Sequence, residues 1–456
     1  MSEHDLIVVG LGPGGEEVAQ RAAEAGLDVL GIDHRLVGGE CPYWGCIPSK
    51  VMVRAGNSLA EAARAIGLAG EGEMTPDWSK LAGRVREVTG DWDDSVAVQR
   101  HLDRGETFVR GTAAITGPRE VEVEGERYTA RRGIVIATGG IPAAPPIAGL
   151  ADVEYWTSRE AIEAAQNPAS MVVLGGGAIG LELAQAYRRF GTDVTIVEHA
   201  PHVLPLEEPE QGDELGKMLA AEGIGLRTGV GATQVAADGG GVHVTLSDGS
   251  SLSGERLLVA TGRRVDLGPL GVESVGIDPG GRGVPVDEHL RAGDGLWAVG
   301  DVTGVAGFTH VAVYQGRIAA ADILGRPHTP ADYRAVPRVT FTDPEVASVG
   351  LSERDARERG IDVRIGLART ADSSRGYIHG PGAEFGVTKV IADADRGVLV
   401  GASTMGPAAG EILGIFVLAV RAEVPVTGLR DLIYPYPTFL RGIEPAIQQV
   451  SGSGPP

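Results

Sequence analysis

The sequence predicts an α/β protein: two doubly wound domains built on βαβ units, followed by an α+β domain at the C-terminal end. Three observations carry this. A strand, a glycine-rich turn and a helix open the chain, and the same pattern recurs near residue 171. Short apolar runs elsewhere stop at Thr-Gly-Gly, Thr-Gly-Arg or Gly-Asp. From about residue 336 the pattern changes to strand, turn, strand and charged helix, with no further glycine fingerprint. The expected boundaries are 1–148, 149–262, 263–335 and 336–456, the third segment completing the fold of the first.

The first pattern reads "DLIVVGLGPGGEEVAQRAAEAGLDVLGID". An apolar strand, Leu6 to Val9, leads into Gly10, Gly12, Gly14 and Gly15, then a helix, then a strand ending at Asp33. The second reads "MVVLGGGAIGLELAQAYRRFGTDVTIVE", with Gly175, Gly177, Ala178, Ile179 and Gly180 at the turn and Glu198 at the strand end. The acid lies 23 residues past the first glycine in both copies. In such a Rossmann-type turn the first glycine permits the sharp bend. The second lets a pyrophosphate approach the backbone, and the third lets helix and strand pack closely. The helix N-terminus then offers unpaired N–H groups and a positive dipole end to phosphates. The acid accepts hydrogen bonds from ribose hydroxyls. One such turn is weak evidence, but two with matched acids predict two dinucleotide sites.

Between and after these units come "GIVIATGG" (133–140), "LLVATGRR" (257–264) and "LWAVGDVTG" (296–304). Thr138, Gly139, Gly262, Gly300 and Asp301 thus fall at the C-terminal ends of strands, where open α/β sheets bind ligands. A helix is expected from about Thr309. Beyond residue 336, "VPRVTFTDPEVASVGLSERDARERG" and "VTKVIADADRGVLVGASTMG" read as antiparallel strands, and "AAGEILGIFVLAVRAEV" as an amphipathic helix.

Composition narrows the class. Formal net charge is −21, and lysine occurs four times in 456 residues. That balance argues against a nucleic-acid partner, whose phosphates demand basic surface. The longest apolar run, 412–420, is far short of the ~20 residues of a membrane helix. The N-terminus has no basic segment or cleavage pattern of a secretory signal, so a cytoplasmic protein with no membrane partner is expected.

The chain has two cysteines, both in "GGECPYWGCIPSK" (38–50). Cys41 and Cys46 form a redox couple, a pair of metal ligands completed elsewhere, or two core thiols. Five steps of regular helix rise ~7.5 Å, whereas a disulfide spans at most ~7 Å between Cα atoms. A bonded pair therefore requires a distorted helix. Pro42 suits a first helical turn, and Gly45 removes a side chain beside Cys46, as the approach of a flat ring would need.

With these motifs assembled, the chain resembles the pyridine nucleotide–disulfide oxidoreductases, the flavoprotein family of dihydrolipoamide dehydrogenase, glutathione reductase and mercuric reductase. The resemblance spans nearly the whole chain, and its most specific part is Cys-x4-Cys-Ile-Pro-Ser-Lys. It implies FAD at the first fingerprint, with Ala113 also at that cofactor, and a nicotinamide nucleotide at the second. It implies a redox-active Cys41–Cys46 disulfide, with Cys46 against the flavin and Cys41 as the interchange thiol. Lys50 would pair with Glu182 beside the flavin, and residues 336–456 would dimerise the protein into a homodimer. Glu198 favours NADH over NADPH, because a carboxylate suits a free 2′-hydroxyl and repels a 2′-phosphate. No resident metal is expected.

Two departures bear on the electron acceptor, a small molecule. Disulfide-reducing members carry His-Pro-Thr-x-x-Glu near the C-terminus, the histidine acting as acid and base for the interchange thiol. Here "YPYPTFLRGIE" (434–444) places Tyr436 at the histidine position and Arg441 at that of the glutamate. The second departure is Pro42-Tyr43-Trp44 between the cysteines, where aromatics either narrow the substrate mouth, stack on a planar acceptor, or pack against the neighbouring domain. A small disulfide is the expected acceptor class. Direct reduction of a quinone or metal ion, or service as a subunit of a larger complex, are the alternatives.

Overall fold

The computed structural model describes residues 2–451. The chain divides into two compact units, 1–48 with 83–143 and 262–332, and 49–82 with 144–261 and 333–456.

The first unit is built on strand Ser2–Val9, buried over its last four residues. It pairs in parallel with Val29–Asp33 on one side and Glu126–Ile136 on the other. Leu296–Ala298 extends the sheet in parallel beyond Glu126–Ile136, and Thr107–Arg110 beyond Val29–Asp33. Strands buried on both faces read as continuous Val, Ile and Leu rather than alternating, as "LIVV" and "IVI" do. One face packs Ile7, Val9, Ile134 and Ile136 against Leu267, Val272 and Val302. The other packs Leu6, Val8 and Val135 against Val18 and Ala22 of helix Pro13–Glu24 and Ile318 of helix Thr309–Ile323. Those two helices meet through glycines. A Cβ on Gly14 would stand 3.2 Å from Ala312 O, and one on Gly316 would stand 2.8 Å from Gly14 O.

The second unit holds a four-stranded parallel sheet in the order Gly225–Thr228, Asp193–Glu198, Ser170–Leu174, Arg256–Val259. It also holds a five-stranded antiparallel sheet, Pro337–Thr340, Glu345–Gly350, Val398–Gly406, Val387–Asp393 and Val363–Arg369, in that spatial order. Helix Ala409–Arg421 covers it with Leu413, Phe416 and Val420. The strands anticipated beyond residue 336 are present. Two features had weaker signals in the sequence. Strand Val363–Arg369 is an edge strand with burial only at alternate or scattered positions. The three-stranded antiparallel sheet within 232–254 turns on Gly239 and Gly240, both at positive φ. Among the described residues no helix is long and apolar enough to cross a membrane.

Candidate active site

Each glycine fingerprint divides its labour as the residues require. Gly10 has φ +94°, and a Cβ there would lie 2.4 Å from Ala137 O. A Cβ on Gly15 would lie 2.0 Å from Gly10 O. In the second copy Gly175, at φ +107°, would meet Ala260 O at 2.4 Å, and Gly180 would meet Gly175 O at 2.2 Å. The first and third glycines are therefore demanded by the chain itself. The middle ones are not: Gly177 faces open space, and Gly12 meets only Gly39 Cα at 3.9 Å. That open backbone is where a pyrophosphate fits. Helices Pro13–Glu24 and Ala178–Arg189 both start without a side-chain cap, so their first N–H groups stay available to an anion. The residues fit a dinucleotide at each turn. Ile179 is half exposed beside Ala178 on the second helix.

The two acids do something the sequence reading did not anticipate. Asp33 accepts the N–H groups of Leu11 and Arg35, each at 2.8 Å. Glu198 accepts those of Gly176 and Ala200, each at 2.7 Å. Each carboxylate thus ties its own glycine turn to the end of the neighbouring strand, and its remaining lone pairs are left for a ribose.

Gly139 and Gly262 both have positive φ and open space around a Cβ position, and Thr138 is exposed. Ala113 is buried at the start of strand Ala113–Gly117. Gly300, at φ +83°, donates its N–H to the buried Gln315 side chain at 2.7 Å. Asp301 opens the short helical turn that follows, and burial pushes its carboxyl up against the opposing pull of Arg263. Arg263 Nη1 donates to Glu40 at 2.7 Å, Nη2 donates to Gly140 O, and Nε lies 3.5 Å from Asp301. Arg263 and Glu40 were inside quoted motifs but unremarked. Their signal was a charged residue just past the Ala-Thr-Gly that follows an apolar strand, and another directly before Cys41.

The cysteines sit at a broken helix. Helix Glu40–Tyr43 ends at Trp44, whose φ is −134°, and a new helix runs Cys46–Ala65. The distortion required by the spacing is present. Gly45 has close neighbours within the chain itself. A Cβ there would stand 3.0 Å from Glu40 O and 3.3 Å from Cys41 Cα. Its bareness lets the preceding turn fold back, so the pair is brought together by backbone closeness.

Neither cysteine is in a disulfide bond, and both are half-buried. The neighbouring Cys46 sulphur, together with burial, pushes the Cys41 thiol well above the ordinary range, while the Thr309 hydroxyl pulls it down. Thr309 Oγ1 also lies 3.3 Å from Cys46 Sγ in a hydrogen bond. Thr309, the first residue of helix Thr309–Ile323, was expected only as a helix start. His310, the next residue, is exposed and stacks on Phe308. Tyr43 is buried and its carbonyl accepts Trp92 Nε1 at 3.2 Å, so this aromatic packs internally.

In the second unit Lys50 donates to Glu182 at 2.7 Å. Glu182 is 4% exposed, and its other oxygen accepts the Phe341 N–H at 2.9 Å. The Lys50 ammonium also stands 4.7 Å over the Phe341 ring. Phe341 carries no sequence signal for this, since it is an apolar residue in a strand-to-turn segment. Tyr436 is exposed, with the Arg441 guanidinium 5.6 Å over its ring. Glu444, the nearest acid in sequence, pairs with Arg441 at 3.3 Å.

Two fingerprinted turns, a thiol pair at a helix break and an antiparallel terminal sheet define an FAD-dependent class of oxidoreductase that uses pyridine nucleotides. The chain belongs to the pyridine nucleotide-disulphide oxidoreductase family, whose pattern matches residues 4–316, with the family's dimerisation domain matching 336–447. It is 37% identical to a dihydrolipoyl dehydrogenase of Thermus scotoductus, over 98% of this chain and 97% of that one. It is 32% identical to a mercuric reductase of Staphylococcus aureus, over 97% of this chain and 81% of the relative. Among solved structures it resembles a Cu(II) complex of the HOCl-induced flavoprotein disulfide reductase RclA of Escherichia coli. There the TM-score is 0.83 and identity 27%, covering 96% of this chain and 98% of that one.

Proposed function

We propose that this enzyme passes two electrons from NADH, through FAD, to the Cys41–Cys46 disulfide, and that the dithiol then reduces a small disulfide. The observation that carries this is the thiol pair itself: two neighbouring sulphurs sharing the Thr309 hydroxyl, at a helix break that Gly45 makes possible. FAD, when bound, supplies the carrier that accepts hydride from the nicotinamide and releases electrons to sulphur.

The residues then divide the work. Cys41 attacks the substrate disulfide, forming a mixed disulfide and releasing one thiol, which takes a proton. Cys46 attacks Cys41, closing the internal disulfide and releasing the second thiol with a second proton. Two electrons and two protons leave the protein per substrate. Cys41 holds its proton until a base draws it, because the Cys46 sulphur and burial both oppose its thiolate. Lys50, held by Glu182, places a cation that offsets negative charge on the reduced carrier. NADH is favoured over NADPH because Glu198 is fixed by two backbone donors at the strand end, and a 2′-phosphate there meets a carboxylate that cannot swing away.

A second reading rests on Tyr436. Thiol exchange needs a group that both takes up and returns a proton near neutral pH; histidine, at about 6.5, does both, whereas a tyrosine side chain, ordinarily at about 10, can donate but is a poor base. A quinone or metal ion takes electrons without a leaving thiol, and the related reductases include one that reduces mercury and one seen with Cu(II). Anaerobic titration with NADH and NADPH in parallel separates these. On the dithiol reading, the two-electron-reduced protein shows a long-wavelength absorption band that Cys46→Ser abolishes. Cys41→Ser then loses at least a hundredfold in disulfide turnover. Full turnover of the best acceptor in Cys41→Ser sinks the interchange role and favours direct reduction.

A further inference from the structure

The first unit carries a cluster that the redox chemistry does not use. His289 lies in the loop before strand Arg291–Gly293, Asp322 in the last turn of helix Thr309–Ile323, and His328 in the segment after that helix. One ligand-capable atom from each lies within 4.8 Å of the others. His289 Nδ1 stands 2.8 Å from His328 Nε2, and His328 Nε2 stands 3.9 Å from Asp322 Oδ1. We propose that His289, Asp322 and His328 form a binding site for a divalent transition-metal ion of the zinc type, outside the cysteine pair.

The surroundings are arranged as metal ligands require. His328 Nδ1 donates to Arg326 O at 2.9 Å, which fixes the ring and leaves the Nε2 lone pair facing inward. The outer nitrogen of His289 lies 3.8 Å from Glu288, so a proton on that side faces an acid while Nδ1 faces inward. An outward N–H toward oxygen with an inward lone pair is how liganding imidazoles are held. Asp322 is anchored from behind. Its Oδ2 accepts Arg291 Nε at 2.7 Å and Trp297 Nε1 at 2.8 Å. Its Oδ1 accepts Arg291 Nη2 at 2.6 Å and keeps a second lone pair toward the histidines. The Asp322 side chain is 5% exposed, that of His328 15% and that of His289 31%, so an ion enters past His289.

Two imidazoles and one carboxylate oxygen suit Zn²⁺, with water in the fourth tetrahedral position, and they also admit Ni²⁺ or Cu²⁺. With no ion, the inner nitrogens share one proton across 2.8 Å. The ion replaces that contact, and the His289 proton moves to the outer nitrogen. Bound there, it clamps the segment carrying His328 and the loop carrying His289 onto the end of helix Thr309–Ile323.

The test uses the full chain with FAD bound and both cysteines changed to serine, so that thiols do not compete for metal. The chelator-treated protein is titrated with Zn²⁺ by calorimetry and with Co²⁺ by visible absorption. The expected result is one ion per chain, a Zn²⁺-dependent rise in melting temperature, and at least tenfold weaker binding in His289→Gln and in His328→Gln. Quenching of Trp297 by Ni²⁺, lost in Trp297→Phe, locates the ion beside Asp322. The histidine variants leave the Asp322–Arg291–Trp297 contacts intact, so they test ligation rather than folding. Zn²⁺ affinity unchanged in both histidine variants, or no binding below millimolar ion, overturns the site.

Discussion

On the proposed reading, Tyr436 is the residue that most separates one class of acceptor from another. It stands exposed at the position where disulfide-reducing relatives place their acid–base histidine, and the Arg441 guanidinium covers its ring. The carboxylate that would hold a histidine upright is displaced to Glu444, which is spent on Arg441. General acid–base catalysis contributes ~10²–10⁴ in rate, so on the dithiol reading thiol exchange is expected to be slower here than in relatives that carry the histidine. Tyr436→His is expected to raise kcat/KM for lipoamide or glutathione disulfide at least tenfold, and to add a limb to the pH profile at about 6.5. Tyr436→His with Arg441→Glu should gain more, because the new acid orients the imidazole. Equal disulfide rates in wild type and both variants, measured at saturating NADH, would show that the missing histidine is not what limits the reaction.

At the scale of elements, the glycine turns and the broken helix show what a sequence makes legible. The two fingerprints were readable because their first and third glycines answer hard steric demands: a Cβ at Gly15 or Gly180 would fall 2.0 or 2.2 Å from a carbonyl oxygen. The middle glycine meets no such demand from the chain, as a ligand-facing position would not, and that difference is testable. Gly180→Ala should destabilise the second unit by several kcal/mol, roughly what a severe backbone overlap costs. Gly177→Ala has room and a φ of −84°, so the melting temperature should hold while KM for NADH rises about tenfold. Parallel thermal melts and steady-state kinetics read this directly. A Gly177→Ala protein that melts early would mean the open space serves folding after all. A distorted helix start was likewise legible, from the Cys spacing of a bonded pair together with Pro42 and Gly45, and the break falls at Trp44. Apart from Lys50 with Glu182, which came only through the family resemblance, the contacts between distant segments stayed hidden. Thr309 reaches Cys46 across 263 residues of chain, Arg263 reaches Glu40 across 223, and Phe341 reaches Glu182 across 159. Residue type and local pattern carry no signal for such pairings. The acids Asp33 and Glu198 were found by spacing, yet their backbone partners depend on turn geometry that only the folded loop displays.

At the scale of the whole molecule, residues 336–447 match a dimerisation domain, and their surface is apolar in places a lone chain would not favour. Ile433 is 98% exposed, Leu418 62%, Ile378 53% and Leu432 46%. A chain of net charge −21 repels its own copy, so association has to rest on apolar burial. In a twofold dimer each contact occurs twice. Burying one isoleucine is worth roughly 1.5–3 kcal/mol, so losing two of them removes roughly 3–6 kcal/mol. Placing a carboxylate at each site costs more again. Ile433→Asp is therefore expected to weaken the dimer at least a hundredfold, since about 1.4 kcal/mol is one factor of ten. Sedimentation velocity over a concentration series measures it, and circular dichroism should be unchanged because the side chain touches solvent in the single chain. The functional consequence follows from Tyr436, three residues on. If the partner's copy of this segment completes the acceptor site, the monomeric variant keeps rapid reduction of its FAD by NADH and loses turnover with disulfides. A monomer that turns over disulfides at the parent rate would place the whole acceptor site within one chain.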